Sequence, residues 1–193
     1  MSKYRKEYSI YQTSYALQMS ILPPTESEGG KTKLGGILIA TSPSLGKDDR
    51  TYAWKDRKLT FGLSIMNIGE ILSAAKKMTP IAEQLSREQL YLEDAGEERG
   101  LVEQRITDLT EELRLMEVKL IHDPAKRDGF EGYQGPKKVL IFGRSAKNDG
   151  FYISQTGQTP VGKEDKHYVN ISDASWIPME QLMRDSIWLL MGW

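Results

Sequence analysis

The sequence predicts an α+β fold, with two β-rich arms on either side of a helical middle. Three observations carry this. Residues 8–64 and 137–171 hold short runs rich in Tyr, Ile, Thr and Val, bounded by Gly, Pro, Asn and Asp. Residues between them change to Leu, Glu and Arg at helical spacing. Each arm also ends in a helix-like stretch, so the layout of strands followed by a helix occurs twice without any sequence repeat.

Taken in order, "YSIYQTSYALQMSIL" (Tyr8–Leu22) predicts one long strand that Pro23-Pro24 ends. On that strand Tyr11, Thr13 and Tyr15 share a face, whereas Ile10, Ala16, Met19 and Ile21 do not, which predicts a bulge or a slipped register. "ESEGGKTK" predicts a loop and "LGGILIATS" (Leu34–Ser42) a second strand. "TYAWK" and "KLTFGLS" predict a hairpin about Asp56-Arg57, followed by a helix through Ile65, Ile68, Ile71 and Leu72. Thr79-Pro80 reads as a fresh helix start, a cap followed by proline at the first helical position. After the turn "DAGEERG", Val102, Ile106, Leu109, Leu113, Met116 and Leu120 step by four and three residues, a heptad stripe. The expectation is an antiparallel helical hairpin over about 79–117, appended to one domain spanning 1–193. "KKVLIFGRS", a turn at Asn148-Asp149-Gly150, "FYISQT" and "KHYVNIS" predict the second set of strands. A closing helix is expected from Ser172 or Ser175, with Pro178 in its first turn, where amides have no intrahelical acceptor.

The composition, 39% hydrophobic and 27% charged, is ordinary for a globular chain with one real core. Mean hydropathy is -0.50, and no run of about 18 apolar residues would span a membrane. Cysteine is absent, which excludes a disulfide framework, a thiolate metal site and a cysteine nucleophile. The opening "MSKYRKEYSIYQ" has no apolar signal core. The formal net charge of -1 conceals a division. Residues 79–121 hold 11 acidic and 5 basic side chains, leaving 21 basic and 16 acidic elsewhere. A mildly basic body therefore carries an acidic appendage.

Motifs for chemistry are weak. "GGKT" (Gly29–Thr32) lacks the earlier glycine of a phosphate-binding loop and precedes a strand instead of a helix. His122-Asp123 before Pro124 and the single His167 have no second histidine at ligand spacing. No catalytic residue, metal or cofactor is expected. Asn170-Ile171-Ser172 fits a glycosylation sequon but reads as strand and helix cap. The arms are more informative. Tyr11, Tyr15, Tyr52, Trp54 and Tyr152 lie among Lys33, Lys55, Lys58, Lys137, Lys138 and Arg144. Rings on a sheet interleaved with cations suit single-stranded nucleic acid, with bases stacking and cations tracking phosphates. The same pattern also suits core aromatics with lysines alongside.

"TYAWKDRKLTFGLSIMNIGEIL", "IHDP", "KKVLIFGRSAKNDGFYISQT" and the terminal "DSIWLLMGW" appear in an order that resembles the Whirly family of single-stranded-DNA-binding proteins. A related architecture occurs in kinetoplastid mitochondrial guide-RNA-binding proteins. The resemblance covers most of residues 8–78 and 118–193 and leaves the acidic hairpin without a counterpart. The family's Lys-Gly-Lys-Ala-Ala-Leu motif falls on "QTSYALQMS", which keeps Ala16 and Leu17 but has Gln12 and Ser14 in place of lysines.

The resemblance implies two antiparallel sheets of about four strands packed with helices, and protomers joined into a homotetramer. It also implies binding of single-stranded DNA with low sequence specificity and no enzymatic step. Which process the protein serves, among replication, recombination, repair and transcription, is left open by the sequence. RNA binding or strand annealing stays open, as does an oligomeric scaffold with a protein partner at the hairpin. The closing helix is apolar nearly all round, so Ile187, Trp188, Leu190, Met191 and Trp193 are expected at a subunit interface. With no membrane segment or targeting stretch in view, the expected location is the cytoplasm of a prokaryotic cell or of a virus-infected host.

Overall fold

The computed structural model describes residues 7–26, 32–33, 35–46, 51–124, 135–146 and 149–191. Two four-stranded antiparallel sheets form its body. Sheet I has the order β1 (Glu7–Tyr11), β2 (Tyr15–Leu22), β5 (Gly36–Pro43), β6 (Leu59–Leu63). A two-residue pair, β3 (Thr25–Glu26) and β4 (Thr32–Lys33), lies on the β2–β5 connection. Sheet II is a meander of β7 (Val118–His122), β8 (Lys138–Arg144), β9 (Phe151–Gln158) and β10 (Glu164–Ile171). The helices are α1 (Ile65–Tyr91), α2 (Arg99–Leu115) and α3 (Asp173–Leu190). The predicted fold class is therefore the observed one.

Strand alternation decides what each sheet face meets. In sheet I, Ile10, Leu17, Met19, Ile37, Ile39, Phe61 and Leu63 share one face through the strand registers, and all are buried. In sheet II, Leu120, Leu140, Phe142, Phe151, Ile153, Val169 and Ile171 do the same. These faces and the helices build one core. Phe142, Phe151 and Trp176 of α3 meet there with ring centroids 4.6–5.2 Å apart, a tilted and offset packing that suits the ring quadrupoles.

Five local expectations are corrected. The long first strand is a hairpin: Gln12 N–H donates to Tyr15 O at 3.0 Å, and Tyr11 pairs with Ala16. The turn, Gln12-Thr13-Ser14, contains no Gly, Pro, Asn or Asp, so only the weaker turn-forming hydroxyls of Thr13 and Ser14 mark it. It explains the broken alternation and puts Tyr11 and Tyr15 on opposite faces. Thr51–Lys55 is not a strand; Tyr52 makes an isolated bridge with Ser44, and β6 pairs with β5 instead.

Thr79-Pro80 does not start a helix. α1 begins at the Ser64 cap, whose Oγ accepts from Asn67 N–H at 3.2 Å, and runs through Pro80 to Tyr91. Proline removes one helical bond there, at a cost of about 3 kcal/mol. Burial of Ile68, Ile71, Ala75, Met78, Ala82 and Leu85 along a single stripe outweighs it. α2 packs back on α1 through Val102, Leu109 and Leu113, with Arg105 reaching Glu88 at 3.4 Å. The heptad stripe ends before Leu120, which lies on β7.

Pro178 sits at the sixth residue of α3, beyond the first turn; the Ser172 cap, whose Oγ accepts from Ser175 N–H at 3.2 Å, fixes that start. The sharp turn into β9 needs Gly150, whose φ is +122° and where a Cβ would lie 2.1 Å from the Ile171 carbonyl oxygen.

Candidate nucleic-acid interface

The outer face of sheet I is built from Ser9 and Tyr11 of β1, Ala16, Gln18 and Ser20 of β2, Leu38, Ala40 and Ser42 of β5, and Thr60 and Gly62 of β6. Its middle is made mostly of small side chains, of which Ala16, Ala40 and Ser42 are buried and Gln18 and Thr60 half-buried. Tyr11, 59% exposed, stands at its edge. The β5–β6 connection extends the face with Tyr52 and Trp54. The Tyr11–Tyr52 centroids are 5.5 Å apart and Tyr52–Trp54 6.4 Å, a continuous run of three rings. Tyr52 is held by its hydroxyl, which donates to the Gln12 carbonyl at 2.7 Å. Lys55 is exposed and Lys58 half-buried beside the run. At the β6 edge Lys138 Nζ donates to Thr60 Oγ1 at 3.4 Å. Sequence reasoning named the rings and these lysines but not Thr60 or the contact it makes.

The loop that carries Trp54 and Lys55 is clamped from the other sheet. Arg57 donates to Asp165 Oδ2 from Nη2 at 2.8 Å and from Nε at 3.0 Å. Asp165 begins a buried polar seam between the sheets. His167, fully buried, has Nε2 3.4 Å from Asp165 and Nδ1 2.8 Å from Thr41 Oγ1. The Gln155 amide nitrogen donates to Thr41 Oγ1 at 2.7 Å, and its oxygen accepts from Thr60 N–H at 3.2 Å and Phe61 N–H at 3.0 Å. Gln155 on β9 thus ties the backbone of β6 in sheet I to sheet II. With Thr41 receiving the Gln155 proton, its own hydroxyl donates to His167 Nδ1, so the imidazole is neutral with its hydrogen on Nε2. Burial pushes the His167 value below the ordinary imidazole range, against the opposing pull of Asp165. Burial raises Asp165, but hydrogen bonds from Arg57 and from Lys166 N–H more than offset this and hold it low.

Several expected site residues lie elsewhere. Tyr15 is on the inner face of sheet I, with its ring 5.3 Å from the His167 ring, so it belongs to the seam and not to the run containing Tyr11. Arg144 is not free for phosphate. Its guanidinium makes paired bonds to Asp173 at 2.7 and 2.9 Å and lies 4.6 Å over the Phe151 ring, and only 9% of the side chain is exposed. It anchors the first turn of α3 to sheet II. Lys137 is exposed at the start of β8. Lys33 is in β4, and its side chain lies outside the described residues.

Tyr152 lies on the outer face of sheet II, over Gly143, where a Cβ would come within 2.7 Å of the ring. Its ring stacks with Tyr168 at 5.0 Å and 23°, and its hydroxyl donates to Glu117 Oε1. Burial first, then Glu117, raises both phenols above the usual range. Sequence reasoning missed Tyr168; the alternation Lys166-Tyr168-Asn170 on the same face as Tyr152 could have found it. The motif residue His122 ends β7 and is exposed.

On α3, Leu190 is buried in its own protomer, 2% exposed, against Gly35, where a Cβ would meet Leu190 Cδ2 at 2.5 Å. It is therefore core and not interface. Ile187 is half-buried against the core, while Trp188, Leu189, Met191 and Ile177 are exposed. Trp193 lies outside the described residues.

Two sheets packed with an α1–α2 hairpin and a closing helix can be compared with known proteins. The family model described as Whirly transcription factor matches residues 10–82, which is sheet I, its aromatic connection and most of α1. The fold is that of the Whirly family. The plant transcriptional regulator PBF-2 superposes with a TM-score of 0.63 at 21% identity, over 97% of this chain and 82% of that one. WHY3 from Arabidopsis thaliana gives 0.63 at 22% identity over 100% and 92%, and WHY1 from the same plant 0.64 at 20% identity over 100% and 89%. These spans take in the helical hairpin. No curated protein matches at the sequence level. The Whirly-like structures are plant proteins and give no support to a prokaryotic or viral host. Among the described residues no helix is long and apolar enough to cross a membrane.

Proposed function

We propose that this protein binds single-stranded DNA with little sequence preference and acts by binding, without a chemical step. The observation that carries this reading is the Tyr11–Tyr52–Trp54 run of rings at the outer face of sheet I, Tyr11 exposed and the other two half-buried, with Lys55, Lys58 and Lys138 close by. Three rings offer three stacking steps, each worth about 1–3 kcal/mol, and stacking is tolerant of sequence because every base has a π-face. Lys137, exposed at the start of β8, adds a further cation, and Tyr152 offers a further ring on the second sheet. The Whirly fold and the family match across 10–82 support the same reading. The descriptions of the relatives make transcriptional regulation the first process to test.

We further propose self-association into a tetramer through α3. Trp188, Leu189 and Met191 expose apolar side chains together at the C-terminal end of α3, and Ile177 is exposed nearer its start. Residues 1–193 are read as one domain, with the distal acidic hairpin, about Thr79 to Glu117, as an accessory to the sheets.

The test is fluorescence anisotropy with labelled oligo-dT, oligo-rU and the matching duplex at two salt concentrations. Oligo-dT should bind more tightly than duplex and weaken with salt as counterions are released. Equal or stronger duplex affinity overturns the proposal, and equal oligo-rU affinity redirects it to RNA. Light scattering with and without oligo-dT reads the assembly.

A further inference from the structure

A second candidate surface lies on sheet II and has a carboxylate in its lining. Between the C-terminal turn of α2 and the outer face of sheet II lies a cleft of 440 Å³, within the range of pockets that hold small ligands. Its floor is the Tyr152–Tyr168 stack with Ile141 and Ser154, and Lys166 stands at its side. Its end is closed by Glu117, in the tight junction where α2 passes into β7. Glu117 N–H donates to the Arg114 carbonyl at 3.3 Å, which fixes that backbone, and the Tyr152 hydroxyl fixes one carboxylate oxygen. No ion pair neutralises Glu117 among the described residues, and Lys166 has no acidic partner among them.

We propose that this cleft is a guanine-selective subsite, taking a guanine base from a bound strand or a free guanine nucleotide. The strand-bound form rests on the single-stranded-DNA reading above. The charges select the ligand. Arg114 and Arg144 also line the cleft, but each is already paired, with Glu111 and Asp173 respectively, so Glu117 disfavours a bare phosphate at its end and Lys166 a simple cation. A ligand with hydrogen-bond donors at one end and a phosphate at the other satisfies both. Guanine alone among the DNA bases presents two adjacent donors, N1–H and N2–H, as a fork that matches a carboxylate. Each carboxylate oxygen has two acceptor positions, so Glu117 can hold the Tyr152 hydroxyl and both base donors together. The ring then lies against the Tyr168 face, 41% of that residue being exposed, and Lys166 reaches the phosphate.

The experiment compares four labelled oligonucleotides by anisotropy: all-dT, and the same strand with one central guanine, inosine or 7-deazaguanine. One good bidentate base contact predicts about tenfold tighter binding for guanine than for all-dT. Inosine lacks the N2 amine and should lose most of that gain; 7-deazaguanine keeps both donors and should retain it. Glu117→Gln should abolish the guanine gain while leaving all-dT affinity unchanged. Tyr168→Leu, a second variant with circular dichroism as a folding check, should weaken the guanine strand more than the all-dT strand. Equal affinities for all four strands overturn the subsite but leave the single-stranded-DNA reading standing. Failure of every strand to bind overturns that reading instead, and titration with GMP against AMP then decides the cleft. GMP binding lost in Glu117→Gln supports it as a free-nucleotide site, and no GMP binding overturns it.

Discussion

Tyr11 and Tyr15 are four residues apart and look equivalent in the sequence, but the turn at 12–14 sends them to opposite faces of sheet I. Replacing each by alanine separates the two faces. Tyr11 is 59% exposed and touches one ring, Tyr52 at 5.5 Å. Its removal costs the fold little beyond that ring pair, about 0.5–1.5 kcal/mol. It removes one stacking position from the strand, about 1–3 kcal/mol, so the oligo-dT Kd should rise by about 5- to 150-fold. Tyr15 is half-buried against His167 over the seam that joins the sheets. Its loss should cost about 3 kcal/mol of stability, the low end for truncating a packed aromatic, and act on affinity only through unfolding. The assay is anisotropy with oligo-dT at a temperature where urea melts show both variants more than 95% folded. A Tyr15→Ala protein that is stable yet binds as poorly as Tyr11→Ala would refute the assignment of faces. So would a Tyr11→Ala protein with unchanged Kd.

The buried seam predicts a pH dependence. Because the folded His167 value lies below its unfolded value of 6.5, the unfolded chain takes up the proton first. Stability measured by urea should therefore be full above that pH and fall as pH drops below it, and His167→Gln should flatten the fall. Asp165 is held low in the folded state, so its own contribution is lost only at more acid pH, below its unfolded value of 3.8. Arg57→Ala breaks a partly exposed ion pair, so its effect on stability should stay within about 1 kcal/mol. It should still weaken oligo-dT binding, since Trp54 and Lys55 ride on the released loop; stability and affinity are read side by side. On α3, Leu190→Ala should lose about 2–5 kcal/mol as a core truncation. Trp188→Ala should leave monomer stability nearly unchanged and lower the mass seen by light scattering.

Much of the architecture was legible because it depends on local pattern. Strand alternation, the Ser172 cap and the helical spacing of residues 65–72 and 102–116 each carry their own signal in a few residues. Pro80 was misread because its local cost is real; only the stripe from Ile68 to Leu85, which is buried over its whole length, shows why the helix continues. The turn at Gln12-Thr13-Ser14 had no glycine to announce it, and its stability comes from β1–β2 pairing and from Gln12 reaching the Asn170 carbonyl far along the chain.

The candidate site divides along the same line. That aromatics and lysines occupy the arms is a property of composition, and the sequence by itself determined it, together with the α+β class and the acidic charge of residues 79–121. Which of them remain available was decided by tertiary structure alone. Arg144 is taken by Asp173, Tyr15 by the seam and Leu190 by Gly35, whereas Tyr11, Tyr52 and Trp54 are brought into one row. The physical reason is that a side chain's chemistry is local, but its partners lie on strands and helices far apart in sequence, and only packing sets which partner reaches it first.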